Sequence, residues 1–345
     1  MKDTFEAFVL RETDASVRGA LETFAAADLD DADTVIQVQW SSINYKDALA
    51  GTGKGAIARR LPLIGGIDLA GTVVESNTFT AGTPVVVCGG GLSETLHGGY
   101  AEYARVPGDL AVALPEGLGA RDAMVIGTAG MTAALALARF EQLGLSPDQG
   151  PVIVTGATGG VGSFAIDLLA GAGYEVIAVT GSPQTAADYL TSLGAKTIVD
   201  RRAIETDRKP LHRAEYAGVV DNAGGDLLAH LLKAVLPRGV VAAIGLAGGA
   251  SLPTTVLPFI LRGVTLTGIN SVELTPAERA DVWQRLATGN RPAHLSAIAT
   301  QETDLAGLSD ALAATLEASV PGRTVVRVGA SGAPAGPGAS DAPGV

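Results

Sequence analysis

Apolar residues along this chain follow two different periods, and the clearest change from one to the other begins at residue 152. An apolar run at 152–154 is followed by a glycine-dense turn at 156–162, and a helical stripe begins inside this turn. The members of the stripe recur at spacings of three and four: Val161, Phe164, Ala165, Leu168, Leu169 and Ala172. A continuous apolar run is typical of a buried strand, and this spacing is typical of an amphipathic helix. The order therefore predicts strand, turn and helix.

Further apolar runs alternate with helical stretches after this turn. The strand-like runs lie at 174–179, 196–199, 218–220, 240–244 and 264–267. A helical stretch at Asp226–Val235 separates two of these runs. Because strands that alternate with helices form parallel sheets covered on both faces, the pattern predicts a doubly wound α/β domain.

The part of the chain before the turn has a different pattern. Short strand-like runs at 34–40, 67–74, 85–88 and 99–106 are separated by Gly and Pro, which predicts a barrel-like β domain. After the parallel strands, Thr275, Pro276 and Glu278 have the spacing of a capping box at a helix start. A final helix at 304–317 and a strand at 324–328 are expected to rejoin the first domain.

The glycine turn is suited to a dinucleotide, because a helix N-terminus attracts the pyrophosphate and glycine permits close approach. The predicted cofactor contacts in the turn are Gly156, Ala157, Thr158, Gly159, Gly160, Val161 and Gly162. Thr180 and Ser182, at and just after the end of the next strand, are also predicted to contact the cofactor. The absence of an acidic residue there favours NADPH over NADH. Arg201 and Arg202 are the nearest candidates for the 2′-phosphate, although both are equally typical of solvated loop charges.

Composition and charge narrow the class of protein. The 345 residues suffice for two domains, and 36 acidic against 24 basic residues give a formal net charge of −12. This charge argues against general nucleic-acid or membrane-surface binding. No stretch resembles a signal peptide and no apolar run is expected to span a bilayer, so the prediction is a cytoplasmic protein. The single cysteine, Cys88, and four unclustered histidines predict no metal site, and the Gly-, Ala- and Pro-rich residues 329–345 are predicted to be disordered.

Eight segments in addition to the turn resemble a known family. They lie at 41–49 (Ser-Ser-Ile-Asn-Tyr-Lys-Asp-Ala-Leu), 53–55, 57–60, 66–73, 126–133, 245–249, 252–262 and 322–324. Together they resemble the medium-chain dehydrogenase/reductase superfamily, and more closely its zinc-independent acryloyl-CoA reductase group, whose members are often labelled quinone oxidoreductases. Asn270 departs from the group, which commonly has Asp at this position.

The resemblance implies an α/β Rossmann domain inserted in a GroES-like β-rich catalytic domain. The implied ranges are 126–270 for the Rossmann domain and 1–125 plus 271–328 for the catalytic domain. The resemblance also implies a homodimer and hydride transfer from NADPH to an activated C=C bond. Four further residues are expected to contact the cofactor: Thr128, Asn222, Gly245 and Leu246.

The resemblance places the reaction at Asn44 and Tyr45. Reduction of an enoyl thioester builds negative charge on the thioester oxygen and requires a proton at the α-carbon. Tyr45 is predicted to be the hydrogen-bond or proton donor, with Asn44 as the orienting amide and Asp47 as the third residue of the catalytic segment. The alternative is that Tyr45 packs beside the nicotinamide while water delivers the proton. Asp47 is also expected to hold the segment in place, and Asp68 to do the same from its turn.

Local charge favours a polyanionic substrate. The segment 46–60 contains four basic residues (Lys46, Lys54, Arg59 and Arg60) and one acid, Asp47. Lys54, Arg59 and Arg60 are predicted to bind acyl-CoA phosphates, together with Arg323 by resemblance, unless the segment is simply a solvated basic face. The predicted function is NADPH-dependent reduction of acryloyl-CoA to propanoyl-CoA. The alternatives are a quinone or enone reductase and a catalytically silent NADPH-binding protein.

Overall fold

The structure is a computed structural model that describes residues 1–13, 16–204 and 209–329. The elements up to residue 142 are β1 (Thr4–Glu12), β2 (Val17–Ala25), β3 (Thr34–Ser42), α1 (Tyr45–Gly51), β4 (Leu63–Ile64), β5 (Asp68–Ser76), β6 (Pro84–Cys88), β7 (Tyr103–Val106), β8 (Val112–Ala113) and α2 (Ala120–Gln142). The later elements are β9 (Val152–Thr155), α3 (Gly160–Gly171), β10 (Val176–Thr180), α4 (Pro183–Ser192), β11 (Ala195–Asp200), β12 (Tyr216–Asp221), α5 (Gly225–Leu232), β13 (Val235–Ala243), α6 (Leu257–Arg262), β14 (Thr265–Gly268), α7 (Pro276–Ala287), α8 (Leu295–Ile298), β15 (Gln301–Asp304), α9 (Leu308–Leu316) and β16 (Thr324–Arg327). Apart from Gly329, the tail predicted to be disordered lies outside the described residues.

Six parallel strands form the central sheet of the second half, in the order β11-β10-β9-β12-β13-β14. From β9 the chain adds two strands on one side and then three on the other, which is the order of a doubly wound nucleotide-binding sheet. All four residues of the central strand β9 are buried, which explains its unbroken apolar run. The predicted α/β Rossmann fold is confirmed.

The β-rich part contains a three-stranded sheet, β2-β1-β4, and a larger sheet that follows the path β15-β16-β3-β5-β6-β8, with β7 beside β3. Strand β16 runs antiparallel to β3, so the end of the described chain joins a sheet built by its beginning. Buried side chains that include Phe8, Ile36 and Leu69 fill one core of this part. The return of the chain predicted from residues 324–328 is therefore present.

Helix α2 connects the two parts and is interrupted at Gly127. The backbone there has φ 47° and ψ −158°, so a second helical segment starts at Thr128. This second segment packs on α3, where a methyl group built on Gly130 would lie 3.4 Å from Phe164. The predicted domain boundary between residues 125 and 126 lies next to the interruption.

Helix α2 also bears on one expectation. Among the residues that the structure describes, it is the one helix that is long and apolar enough to cross a membrane. The expectation did not single out this helix of 23 residues, because Gly, Ala and Thr make up much of its uncharged stretch at 123–138. In its most apolar window 78% of the helix is buried inside the protein, as in the core helix of a globular domain.

Local predictions are confirmed where the pattern is strong and wrong where it weakens. The capping box is confirmed, since the Thr275 N–H donates to Glu278 Oε2 at 2.8 Å and the Glu278 N–H donates to Thr275 Oγ1 at 3.3 Å. Helix α3 ends at Gly171, so Ala172 lies exposed beyond it and is not part of the stripe. Strand β2 was not predicted, because eight of its nine residues are exposed or only partly buried and its sequence lacks an apolar run.

Candidate active site

Tyr45 is the first residue of α1, and its side chain is 47% exposed. Strand β3 ends at Ser42, and Asn44 then turns the chain into the helix with an extended backbone. The Asn44 N–H donates to Asp47 Oδ2 at 2.9 Å, one half of a capping box. No hydrogen bond of the Tyr45 hydroxyl occurs within the described residues, so this group is available to a ligand.

Asp68 lies beneath this segment with no exposed surface. Its carboxylate accepts hydrogen bonds from Ser42 Oγ at 2.7 Å and from Asn44 Nδ2 at 2.8 Å. It also accepts from the Thr128 N–H at 2.9 Å and from Thr128 Oγ1 at 2.5 Å. Asp68 therefore joins the end of β3, the start of α1 and the second segment of α2.

Arg323, which directly precedes β16, is the cation of the same buried cluster. Its guanidinium donates to the carbonyl oxygens of Val125 and Ile43 at 3.1 and 2.7 Å, and it lies 3.6 Å from Asp68. Further hydrogen bonds go to Asn44 Oδ1 at 2.9 Å and to Ser42 Oγ at 2.7 Å. Burial lowers the pKa of Arg323, and the neighbouring carboxylates oppose this shift.

Asp47 is the second buried carboxyl group of the cluster. Its Oδ1 accepts from the Ile67 N–H at 2.9 Å, and its Oδ2 accepts from Asn44. Loss of solvation, and next the negative charge of Asp68, raise the pKa of Asp47 to about 7, although its hydrogen bonds act in the opposite direction. Burial and the nearby charge of Asp68 therefore disfavour the charged form of this carboxyl group.

Three site predictions need correction on this geometry. Asn44 was predicted to orient the substrate, but both of its amide N–H groups are used by Asp47 and Asp68, at 3.2 and 2.8 Å. Asp47 was predicted to be catalytic, but it is 2% exposed and points to the backbone. Arg323 was predicted to bind substrate, but it is 3% exposed and its guanidinium is occupied. The polar groups of these three side chains are bound within the protein, while Tyr45 itself reaches the surface.

The glycine turn has the shape of a cradle for a dinucleotide. A methyl group built on Gly162 would lie 2.3 Å from the Gly156 carbonyl oxygen and 2.8 Å from the Ala157 Cα, so no larger residue fits. Gly156 has a φ of 57°, and Gly159 precedes the first turn of α3. The turn thus leaves the backbone N–H groups at the N-terminus of α3 accessible, and such groups can bind a pyrophosphate.

The loop after β10 distinguishes the two arginines proposed for a 2′-phosphate. Arg202 forms an ion pair with Asp200 at 2.7 Å. Arg201 lies over the loop instead, because a methyl group built on Gly181 would be 3.0 Å from its Nε. Ser182 is exposed, and its N–H donates to Thr180 Oγ1 at 3.2 Å. Within the described residues, Arg201 and Ser182 are two groups at this loop whose side chains form no ion pair or hydrogen bond, so they are available to an anion.

Three further predicted cofactor contacts surround the mouth of the turn. The Asn222 amide donates to the Thr155 carbonyl oxygen at 2.8 Å, whereas Asn222 Oδ1 is buried without a hydrogen-bond partner. A methyl group built on Gly245 would lie 2.2 Å from the Asn222 carbonyl oxygen. Leu246 is 62% exposed. A ligand that carries a hydrogen-bond donor at this position would satisfy the unpaired Asn222 oxygen.

The basic segment 46–60 is only partly available. Lys46 forms an ion pair with Glu94, and Arg60 forms one with Asp30. The segment itself contains a single acid, but the fold brings two distant carboxylates to it. Two members of the segment, Lys54 and Arg59, have exposed side chains that form no ion pair within the described residues.

Comparison with known proteins agrees with this arrangement. Residues 30–116 match the model of the alcohol dehydrogenase GroES-like domain, and residues 160–288 match a model described as a zinc-binding dehydrogenase. The acrylyl-CoA reductase AcuI of Ruegeria pomeroyi is 46% identical over 333 residues, which cover 94% of this chain and 100% of that protein. The chain belongs to the acryloyl-CoA reductase group of the medium-chain dehydrogenase/reductase superfamily.

Two solved structures of this superfamily resemble the chain over nearly its whole length. The yhdH oxidoreductase of Salmonella enterica, in complex with NADP, is 45% identical with a TM-score of 0.91 and covers 94% of this chain and all of that one. The Bacillus subtilis protein yhfP, with NAD bound, is 44% identical with the same TM-score and coverage. A quinone oxidoreductase name is attached to yhfP. The two relatives therefore differ in bound cofactor and in name.

The donor set of this reductase does not fit zinc. In the described part of the chain no group of three or more His, Cys, Asp and Glu could hold a metal ion. Cys88 is free and buried, as predicted. The lone pairs of Asp47 and Asp68 accept hydrogen bonds from their neighbours, and Arg323 supplies the positive charge beside them. A structural or catalytic zinc site needs three or four ligands with free lone pairs.

Sequence reasoning missed several residues of the site. Ser42 and Ser41 were quoted only as part of a similar segment, and Glu94 and Asp30 were not considered. No local pattern signals them, since Glu94 is 48 positions from Lys46 and Asp30 is 30 positions from Arg60. The side chain of Asn270 forms a turn by accepting from the N–H groups of Val272 and Glu273, at 2.9 and 3.3 Å. This accounts for Asn270 without a role in the site.

Proposed function

We propose that this protein is a zinc-independent, NADPH-dependent reductase that converts acryloyl-CoA to propanoyl-CoA in the cytoplasm. The observation that carries the proposal is the exposed Tyr45 side chain, which follows directly after Asn44. The buried Asp68 and Arg323 bind Asn44, and Arg323 also lies against Gly160 of the turn suited to a dinucleotide. The AcuI relative supports the choice of substrate, and the yhdH complex supports the choice of cofactor. A free, buried Cys88 is compatible with a reducing compartment.

Bound NADPH would supply the hydride that adds to the β-carbon of the thioester. The protein then has to stabilise charge on the thioester oxygen and to deliver a proton to the α-carbon. Tyr45 is the group of the site that can donate to substrate. The Thr128 hydroxyl gives its hydrogen to Asp68 and is left as an acceptor, which suits an N–H of the nicotinamide carboxamide.

The acyl-CoA phosphates would meet Lys54 and Arg59. Helix α1 carries Tyr45 at its start, and Lys54 follows just beyond its end at Gly51. A helix of seven residues is about 10 Å long, so α1 separates Lys54 from Tyr45 along the chain. Arg60 is less suited to this role, because Asp30 and the Thr95 carbonyl oxygen already bind it.

Removing both free cations is expected to separate acyl-CoA from other substrates. The double variant K54A/R59A should raise the KM for acryloyl-CoA at least about tenfold with little change in kcat, because each lost charge-assisted contact costs about 1.5–3 kcal/mol. Initial rates with acryloyl-CoA, crotonyl-CoA and a quinone, each with NADPH and NADH, provide the measurement. K196A/R213A, which removes two exposed cations of the other domain, is the control. An unchanged KM for acryloyl-CoA would contradict the CoA site.

The same set of assays distinguishes the alternatives. A quinone or enone reductase would need no phosphate contacts, and it would turn over a quinone faster than either thioester. A catalytically silent NADPH-binding protein would bind NADPH without oxidising it in the presence of any of the three substrates. Turnover of acryloyl-CoA that exceeds turnover of the quinone supports the proposal.

Arg201 is proposed to bind the 2′-phosphate of NADPH. R201A is expected to weaken NADPH binding about 10- to 100-fold and to leave NADH binding unchanged, because one charge-assisted contact to phosphate is lost. Dissociation constants from cofactor fluorescence test this. R202A is the matched control, since its guanidinium is bound by Asp200. An equal loss of affinity for NADPH and NADH would show that Arg201 does not bind the 2′-phosphate.

The homodimer is proposed to form through the free edge of the Rossmann sheet. Strand β14 is the last strand of this sheet, and the segment before it exposes four large apolar side chains by at least 60%. These are Leu246, Val256, Ile260 and Leu261. An exposed apolar surface beside an unpaired strand is typical of an interface between subunits.

Charge placed on this surface is expected to separate the subunits. I260E/L261E should convert a dimer into a monomer at micromolar concentration, because burying two unpaired carboxylates is costly. Light scattering after gel filtration measures the mass. L143E, at an exposed leucine after α2, should leave the mass unchanged. A monomeric wild-type protein at the same concentration would contradict the homodimer.

A further inference from the structure

Arg323 contacts both parts of the candidate site that have to be held in register. Its Nη1 donates to the Ile43 carbonyl oxygen at 2.7 Å and to Asn44 Oδ1 at 2.9 Å, directly before Tyr45. The stem of the same side chain lies against the first residue of α3, because a methyl group built on Gly160 would be 2.8 Å from Arg323 Cδ. The buried Arg323 side chain therefore lies between the Tyr45 segment and the cofactor turn and contacts both.

The backbone beside Arg323 makes a second contact with the cofactor turn. The Gly322 N–H donates to the Thr158 carbonyl oxygen at 2.8 Å. Gly322 has a φ of 73°, and a methyl group at this position would lie 2.3 Å from the Ile298 carbonyl oxygen. The path of this segment therefore requires glycine. Residues 322–323 are fixed to the turn at two points, Thr158 and Gly160.

Asp68 makes a matching connection through α2. Its carboxylate accepts from Asn44 Nδ2 and from both the N–H and the hydroxyl of Thr128. Since Thr128 starts the helical segment that packs on α3, Asp68 caps this segment from a strand of the other domain. Arg323 Nη2 lies 3.6 Å from Asp68 and joins the two connections.

We propose that Arg323 and Asp68 are positioning residues that fix Tyr45 relative to the cofactor turn. This inference rests on the proposed function, in which Tyr45 acts on the bound substrate. Displacement of a reacting group by about 1 Å lowers the rate about 100-fold. Residues that fix the distance between Tyr45 and the cofactor turn therefore affect kcat. Lysine at position 323 keeps the charge but has one nitrogen, which cannot reproduce the fork that binds Ile43, Asn44 and Ser42 together.

A buried ion pair that only stabilised the fold would behave differently. Breaking such a pair destabilises the protein because a charge is left uncompensated, whether or not the pair touches the active site. Arg279 of α7 provides the matched comparison. It is 1% exposed and donates to the carbonyl oxygens of Cys88 and Leu274, and none of its described hydrogen bonds reaches residues 43–45 or 158–160.

The test is a double-mutant cycle of kcat with saturating NADPH and acryloyl-CoA. R323K is expected to lower kcat about 10- to 100-fold in the wild-type background and less than about threefold in the Y45F background, because a group already removed cannot be misplaced. The NADPH dissociation constant, from cofactor fluorescence, should change less than about threefold in R323K. R279K should lower the melting temperature, and its effect on kcat should be the same in both backgrounds.

Each result decides between positioning and simple stabilisation. Equal kcat losses from R323K in the two backgrounds would overturn the positioning role and leave the proposed function intact. An unchanged kcat in Y45F alone would instead overturn the role assigned to Tyr45, and the positioning role with it. D68N supplies the same cycle if R323K does not fold, since Asn keeps the shape of Asp68 and removes its charge.

Discussion

Replacing Gly162 by alanine is expected to weaken NADPH binding at least about 100-fold, which corresponds to about 2.7 kcal/mol. The added methyl group would lie 2.3 Å from the Gly156 carbonyl oxygen and 2.8 Å from the Ala157 Cα, both of them backbone atoms. Neither atom can move without opening the turn that presents the N-terminus of α3. We expect the loss in a fluorescence titration with NADPH, together with a lower melting temperature.

The same helix provides a control variant, G171A, for which the expected change in stability has the opposite sign. Gly171 is the last residue of α3, and a methyl group built there meets no atom within 4 Å. G171A is expected to leave NADPH binding unchanged and to stabilise the protein by up to about 1 kcal/mol, because alanine is the better helix former. Wild-type affinity in G162A would show that the cofactor does not use this turn.

Replacing Tyr45 by phenylalanine is expected to lower kcat for acryloyl-CoA about 100-fold or more, the range typical of a lost general acid. The phenol is 47% exposed and its hydroxyl has no partner in the described residues, so Y45F should leave the melting temperature and the NADPH dissociation constant unchanged. Stopped-flow measurement of NADPH oxidation under single-turnover conditions isolates the chemical step from product release.

Tyr103 offers the matched control for this change. Tyr103 is the first residue of β7, and its ring packs on Phe5 with the ring centroids 5.5 Å apart. Y103F therefore removes a tyrosine hydroxyl at a position outside the candidate site. Its kcat should equal that of the wild type. A Y45F enzyme with kcat within about threefold of wild type would favour the alternative in which Tyr45 only packs beside the nicotinamide and water delivers the proton.

The sheet and the glycine turn could be predicted because their signals are local. Strand β9 is buried on both faces, so its sequence is apolar throughout, and the turn requires glycine at fixed positions for steric reasons. The break in α2 could not be read in this way, since the Gly127 conformation depends on its surroundings. A methyl group there would lie 2.6 Å from Asp68 Oδ2 and 2.7 Å from Arg323 Nη2.

The buried cluster could be predicted only in part, because its members meet through tertiary contacts. Asn44 and Arg323 are 279 positions apart and Asp68 and Thr128 are 60 apart, and no periodic pattern connects them. The resemblance to a known family marked Asn44, Tyr45 and Arg323 as members of one site, but it could not assign their tasks. Accessibility separates these residues, since Arg323 is buried and the Asn44 amide is bound within the protein, whereas Tyr45 is exposed.

The basic segment shows a second limit of sequence reasoning. A count of charges along the chain treats neighbours in sequence as neighbours in space. Here Glu94 and Asp30 neutralise Lys46 and Arg60 from other parts of the fold. Among the described residues, Lys54 and Arg59 form no ion pair, so the proposed anion site contains two cations and not four.

The position of Cys88 makes the protein suitable for site-specific labelling. The thiol is fully buried at the end of β6, and burial, followed by the charge of Asp68, raises its pKa well above the usual value. Because the thiolate is the reactive form, the native cysteine should be inert to maleimides and iodoacetamides in the folded protein. A cysteine introduced at Lys54 would then be the sole reactive thiol. A fluorophore attached there could report its distance from bound NADPH by energy transfer, without any cysteine-free background.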